Sequence, residues 1–284
     1  MLGSTAPSGR VAAALSVANL ILEPSTRTRC SFELAEQRLK IERVTVSEGS
    51  SLAKGETLFD TARTLAAMGV NTFVLRHPKV GAPERLAAAM PNAHVVNAGD
   101  GTGEHPTQAL LDLLTLRRYW GSVEGRTVLI VGDIVHSRVA RSNYHGLIAL
   151  EGSVVFCGPE SFLPSPEEFP EATLSSDLDA ALEHCDAVMA LRIQSERLAE
   201  SEACPDVATF RKKYGMTVDR LERLGSDVPV LHPGPFNRDV EIDGAVADSD
   251  RALIWPQVTA GVAIRMGLLA RLAEVRGELG LGSS

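Results

Sequence analysis

The chain has 284 residues, 44% apolar and 23% charged, with a formal net charge of −8 at pH 7. That is enough for one large or two medium globular domains, and the acidic balance argues against a nucleic-acid surface. No apolar run approaches the ~20 residues of a membrane span, and no basic-then-apolar signal peptide opens the chain. The cysteines, Cys30, Cys157, Cys185 and Cys204, form no CxxC pair and no Cys/His ligand spacing. A reducing cytoplasm, without a zinc site or a disulfide framework, is the expected setting.

Residues 17–22 form an apolar run that reads as a buried strand. Glu23-Pro24-Ser25-Thr26-Arg27-Thr28-Arg29 follows and leads into a helix predicted over 26–40, with Phe32, Ala35 and Leu39 at helical spacing. Ser25 is a good N-cap, and the first-turn N–H groups of such a helix lack partners within it. Two hydroxyls and two guanidiniums join them, which makes a site for a doubly charged oxyanion such as phosphate. Arginine in a first turn opposes the helix dipole, so a sequence built for stability alone would carry Asp or Glu there.

A strand is predicted at 43–47, then a Gly/Ser-rich polar loop over 48–56 that reads as a mobile surface segment. A helix over 57–68 precedes a strand at 72–75 that ends in Arg76-His77-Pro78. A short helix near 83–90 and a strand at 94–97 lead to a glycine-rich turn and His105-Pro106-Thr107-Gln108, which open a long helix reaching about Trp120. Residues 121–125 look like a boundary. Beyond it, strands are predicted at 128–131, 154–157, 187–191 and 230–231, separated by a helix after the 132–143 turn, a Pro-rich loop at 159–170, and helical pieces at 206–214 and 217–224. A last amphipathic helix runs over 257–278.

Alternating strands and helices predict an α/β protein with two doubly wound parallel-sheet domains. The expected domains are 1–120 with the C-terminal helix 256–284, and 121–255. The unusual polar groups all follow predicted strands: Arg27 and Thr28, Arg76, His105 and Gln108, Arg138, Arg192, and the Gly234-Pro235 turn. In open parallel sheets the ligand crevice lies outside the carboxyl ends of the strands, so the active site is expected in the cleft between the domains.

Arg27, Arg76, Arg138 and Arg192 suit phosphate and carboxylate groups, and His105 and Gln108 can donate to a carbonyl oxygen. No nucleophilic Ser or Cys has a paired base, no carboxylate cluster could hold a metal, and neither GxxxxGK[ST] nor GxGxxG occurs. What remains is direct transfer between two anionic small molecules, driven by positioning and oxyanion stabilisation. Taken singly, each of these residues also has a plainer reading as a surface ion pair, a helix cap or a solvated face; the shared placement carries the argument.

The stretch 23–29 resembles the carbamoyl-phosphate signature of the transcarbamoylases, and His105-Pro106-Thr107-Gln108-Ala109-Leu110-Leu111-Asp112 is similar to their second signature. The resemblance extends from about Val17 to Ala273 and is strongest to the aspartate branch. Ser50-Ser51-Leu52-Ala53-Lys54-Gly55-Glu56 matches that branch's aspartate-binding lysine loop, and Arg192-Ile193-Gln194-Ser195-Glu196-Arg197 its second substrate arginine. His232-Pro233-Gly234-Pro235 stands where the ornithine branch carries a substrate-binding cysteine.

The resemblance implies that Ser25, Thr26, Arg27, Thr28 and Arg76 bind carbamoyl phosphate, the last three of them holding its phosphate. His105 and Gln108 would hold its carbamoyl group, with Gly234 and Pro235 offering backbone contacts. Arg138, Arg192 and Gln194 would bind L-aspartate, and Lys54 would reach in from a neighbouring subunit of a homotrimer. Arg27, Thr28 and His105 would stabilise the oxyanion, with no cofactor and no metal, in an early step of pyrimidine synthesis. Regulatory or dihydroorotase-like subunits stay open. So do two other readings: a transcarbamoylase for another amine such as ornithine, and a catalytically silent anion-binding subunit. The latter rests on a segment before the first signature that is shorter than in the family, whose loss would expose apolar surface.

Overall fold

A computed structural model describes residues 14–47, 55–193 and 206–278. The chain divides into two compact units, Met1–Thr107 with Gly261–Ser284, and Gln108–Ala260.

The first unit holds a four-stranded parallel sheet of β1 (Ser16–Ile21), β2 (Glu42–Ser47), β3 (Thr72–His77) and β4 (His94–Asp100), in the order β2-β1-β3-β4. Its helices are α1 (Thr26–Leu39), α2 (Leu58–Ala67) and α3 (Ala82–Ala89), with residues 261–278 of the C-terminal helix. Side chains along a strand alternate between faces. Val17 and Val74 join Phe32, Ala35 and Leu39 of α1 and Leu269 and Ala273 of the C-terminal helix. Ala18, Leu20, Phe73 and Leu75 pack instead with Ala62 of α2 and Leu86 of α3. Both faces are covered, which is why these strands read as unbroken apolar runs. Full burial of a Phe or Leu contributes roughly 1.5–3 kcal/mol. The chain leaves β1 towards β2 on one side, while β3 and β4 lie on the other. The carboxyl ends of β1 and β3 therefore flank the topological switch point, where such sheets bind ligands.

The second unit carries helix α4 (Pro106–Trp120) from Gln108 onward, then β5 (Thr127–Val131), α5 (Arg138–Ala149), β6 (Ser153–Cys157), β7 (Ala172–Ser175), α6 (Leu178–Leu182) and β8 (Ala187–Ala190). It continues with α7 (Val207–Tyr214), α8 (Val218–Arg223), β9 (Val230–Leu231), α9 (Gly244–Ala247) and the start of α10 (Ile254–Glu278). The sheet is parallel throughout, in the order β7-β6-β5-β8-β9, with its switch point between β5 and β8. Val128 and Ile130 pack with Leu113 and Leu116 of α4 and Tyr144 of α5, while Leu129 and Val131 pack on the opposite face with Leu182 and Phe210.

Several features differ from the sequence reading. Strand β7 was not expected, because this edge strand is partly exposed and lacks an apolar run. Helix α10 begins at Ile254 rather than at 257. Leu113 and Leu116 of helix α4 pack into the second unit's core. Among the described residues no helix is long and apolar enough to cross a membrane.

Candidate active site

In the first unit the phosphate-type signature sits where β1 runs into α1. Leu22 N donates to Arg76 O at 2.9 Å, carrying the β1–β3 pairing one residue past the strand. The chain then turns at Ser25, whose extended backbone (φ −162°, ψ 99°) and Oγ, accepting from Thr28 N at 3.3 Å, cap the helix. No acidic residue occupies the first turn, so its amides and Arg27 present only positive potential. Arg27 is half-buried, and desolvation lowers its pKa from the usual arginine range. An arriving dianion would offset that desolvation by Coulomb attraction.

Thr28 and His105 are both buried, and Thr28 Oγ1 lies 3.5 Å from His105 Nε2. Arg76 is buried as well. Its Nη2 lies 2.6 Å from Glu23 Oε1, and its Nη1 donates to Ala98 O at 3.3 Å. The guanidinium is thus oriented by β4 and by the residue that opens the signature.

His105 is delivered by a turn built around Asp100, itself buried at the end of β4. The Asp100 carboxylate accepts from Gly81 N at 2.7 Å, Glu104 N at 2.8 Å and Asn97 Nδ2 at 2.9 Å. Gly101, at φ +53°, passes so close to Pro78 O that a Cβ would meet it at 2.5 Å. Arg265 of α10 ties the two signatures together from behind. Its Nη2 donates to Thr107 Oγ1 at 3.3 Å, and its guanidinium carbon stands 4.9 Å from the ring centre of Phe32 in α1.

In the second unit, Arg138 opens α5, capped by Ser137, whose Oγ accepts from Ala140 N at 3.1 Å. The preceding turn is closed by Asp133, which accepts from His136 N at 3.2 Å and faces His136 Nδ1 at 2.8 Å. Arg192 is exposed two residues beyond β8, and Leu191 N donates to Val131 O at 2.8 Å. Arg138 and Arg192 therefore follow the neighbouring strands at the switch point. Gly132, at φ +138°, lets this crossing close, since a Cβ there would lie 3.1 Å from Leu191 Cβ. Gln108 is buried and donates to Asp112 at 2.9 Å. Gly234, at φ +68° before a cis bond to Pro235, donates from its backbone N to His232 Nδ1 at 2.8 Å.

The first unit thus brings Ser25, Thr26, Arg27, Thr28, Arg76 and His105 to the carboxyl end of one sheet. The second holds Gln108, Arg138, Arg192, Gly234 and Pro235. Lys54 and Gln194 lie outside the described residues. Two family models match: "Aspartate/ornithine carbamoyltransferase, carbamoyl-P binding domain" over residues 6–118, and "Aspartate/ornithine carbamoyltransferase, Asp/Orn binding domain" over residues 124–272. This chain belongs to the aspartate/ornithine carbamoyltransferase family.

Relatives narrow the likeness. The aspartate carbamoyltransferase catalytic subunit of Gemmatimonas aurantiaca is 49% identical over 93% of this chain and 82% of its own length. That of Myxococcus xanthus is 51% identical over 89% and 85%. Among solved structures, the catalytic subunit of M. jannaschii aspartate transcarbamoylase superposes with a TM-score of 0.81 at 32% identity, covering 94% of this chain and 88% of that one. The Trypanosoma cruzi enzyme in complex with N-(phosphonacetyl)-L-aspartic acid gives 0.79 at 30%, covering 92% and 84%.

In this carbamoyltransferase the residues that sequence reasoning passed over are mostly carboxylates: Glu23, Asp100, Asp112 and Asp133. Each sits inside or beside a cationic motif and holds its geometry. The readable signal was spacing. Asp112 lies four residues after Gln108 on one helix, where side chains meet.

Proposed function

We propose that this chain is an aspartate carbamoyltransferase catalytic chain, transferring the carbamoyl group of carbamoyl phosphate to the amine of L-aspartate. The products are N-carbamoyl-L-aspartate and phosphate, an early step of de novo pyrimidine synthesis. The observation that carries the reading is the 3.5 Å approach of Thr28 Oγ1 to His105 Nε2, beside the capped N-terminus of α1, in a chain about half identical to aspartate carbamoyltransferase catalytic subunits.

The chemistry follows from the residues. The first-turn amides of α1, with Ser25, Thr26, Arg27, Thr28 and Arg76, hold the phosphate. Thr28, His105 and Arg27 meet the carbamoyl oxygen, and Gln108 with the Gly234-Pro235 backbone holds the carbamoyl amide. Arg138 and Arg192 take the two carboxylates of aspartate, aided by Gln194 and by Lys54 from a neighbouring subunit of a cytoplasmic homotrimer. The aspartate amine attacks the carbamoyl carbon, and negative charge collects on its oxygen, where preorganised donors stabilise it. The carbon–oxygen bond to phosphate then breaks, and the leaving phosphate takes the proton lost by the amine. No group on the protein needs to act as a nucleophile.

The test is carbamoyl transfer by the purified chain with carbamoyl phosphate and either aspartate or ornithine. Carbamoyl aspartate alone supports the reading. Product from ornithine alone overturns the roles given to Lys54 and Arg192, and no product from either returns the chain to an anion-binding role.

A further inference from the structure

We propose that Asp112 is a positioning residue for carbamoyl transfer. It forces the Gln108 amide to turn its oxygen outward, and it passes the same constraint through Gln257 to the His232–Gly234 turn. The inference rests on the functional reading above, in which Gln108 and Gly234 meet the carbamoyl group.

Asp112 is fully buried in the second unit. Its Oδ1 accepts from Gln108 Nε2 at 2.9 Å and from Gln257 Nε2 at 2.7 Å, and its Oδ2 accepts from Asn143 Nδ2 at 2.9 Å. Burying a carboxylate is costly, and an apolar side chain of similar volume would serve packing better. What a carboxylate adds is polarity with one sign. An amide has a donor end and an acceptor end of nearly equal shape, whereas an ionised carboxylate only accepts. Every amide that touches Asp112 must therefore point its nitrogen inward.

For Gln108 this has a chemical consequence. With Nε2 committed to Asp112, Oε1 is the atom turned away from it, and an acceptor suits the NH2 of a carbamoyl group. The sequence reading had given Gln108 a donor's part; the buried partner favours the opposite end. For Gln257 the same rule leaves Oε1 to accept from His232 N at 3.0 Å. His232 is buried, and its Nδ1 accepts from Gly234 N at 2.8 Å, so that nitrogen carries no proton and Nε2 faces Glu241 Oε1 at 3.3 Å. One carboxylate thus orients both glutamine amides, and Gln257 in turn holds the backbone N–H of His232, whose ring accepts from Gly234 N.

The experiment is a double-mutant cycle on the full chain with Asp112→Asn, Gln108→Ala and the pair. It is read by carbamoyl-transfer kinetics and by competitive inhibition with inorganic phosphate. Asp112→Asn keeps the volume but brings an NH2 against donors, so an amide must flip. Its kcat is expected to fall about 100-fold. The phosphate inhibition constant should change by less than about two-fold, because α1 and Arg27 hold that group. In the pair, the further loss beyond the worse single variant should stay below about ten-fold, because the amide being oriented is gone. Losses that multiply in full, a kcat within about three-fold of wild type, or phosphate binding that weakens in parallel would each overturn the inference. If Asp112→Asn fails to fold, Gln257→Met carries the test. It removes the second donor on Oδ1, and kcat should fall about ten-fold at an unchanged phosphate constant, whereas an unchanged kcat overturns the inference. A wild-type chain that forms no carbamoyl aspartate fails the functional reading and this inference with it. Additive variants in an active wild type fail the inference alone.

Discussion

Arg76 Nη2 sits 2.6 Å from Glu23 Oε1, so the buried guanidinium of β3 is already turned towards the first signature. In the proposed function, an entering phosphate would share that cation with a carboxylate. Glu23→Gln keeps the shape and the acceptor while removing the charge. Inorganic phosphate is expected to bind roughly 3–10-fold more tightly, because like charges a few ångströms apart at a protein surface repel by on the order of 1–4 kcal/mol before screening. Titration calorimetry at two salt concentrations measures this. Weaker binding would mean that the hold on Arg76 matters more than the repulsion.

Thr28→Val is nearly isosteric and removes only the hydroxyl that faces His105. The expected loss is about 100–1000-fold in kcat, the usual effect of deleting one oxyanion donor, with melting temperature little changed. His105→Ala should fall in the same range. Steady-state kinetics on both variants decides the matter, and a near-normal kcat in either would move the oxyanion contact to other groups.

The turn that delivers His105 tolerates no side chain at Gly103. A Cβ there would lie 2.9 Å from Asp100 Oδ2 and 3.0 Å from Asp100 O. Gly103→Ala should therefore displace the turn rather than unfold the sheet. Misplacing a reacting group by about 1 Å can cost about 100-fold, so kcat should fall by roughly 10–100-fold. The comparison that matters is kcat against the phosphate inhibition constant, which should hold within about three-fold.

Glu36 gives a pH dependence of stability. It is fully buried on α1, accepts from Asn19 Nδ2 at 2.9 Å, and its Nε partner on Arg43 stands 3.9 Å away. Burial raises its pKa above the ordinary carboxylate value, outweighing Asn19 and Arg43, which lower it. A group whose folded pKa is raised contributes stability that is complete below the unfolded value of about 4.3. That contribution is lost as pH rises through the folded value. Glu36→Gln removes this loss, so the variant's melting temperature should gain on wild type between about pH 4 and neutrality. Thermal scans across that range test it, and a constant difference would show that Glu36 does not titrate differently on folding.

If Lys54 acts from a neighbouring subunit, Lys54→Ala and Arg27→Ala should each be inactive alone and regain partial activity when mixed and allowed to exchange subunits. Some shared sites in the mixture then carry both residues. Verified exchange without recovery would place each site within one chain.

Much of the fold was legible because both sheets are covered on two faces. Residues 128–131 and 73–75 are apolar at every position, and no water-facing alternation hides them. Strand β7 escaped because an edge strand buries little and so leaves no pattern. The proposed anion site was legible for a local reason: the Ser25 cap reaches only three residues, to Thr28 N.

The sequence by itself determined the alternation of strands and helices, the capped cationic turn at Ser25–Arg29, and the placement of the polar motifs just after strands. Each is set by interactions among residues a few positions apart. Only the tertiary structure decided which of these groups meet. Thr28 reaches His105 across 77 positions, Arg76 meets Glu23 across 53, and Asp112 takes its second amide from Gln257, 145 positions on. No local pattern encodes such pairs, because strand order and the two-sided packing of the sheets bring them together.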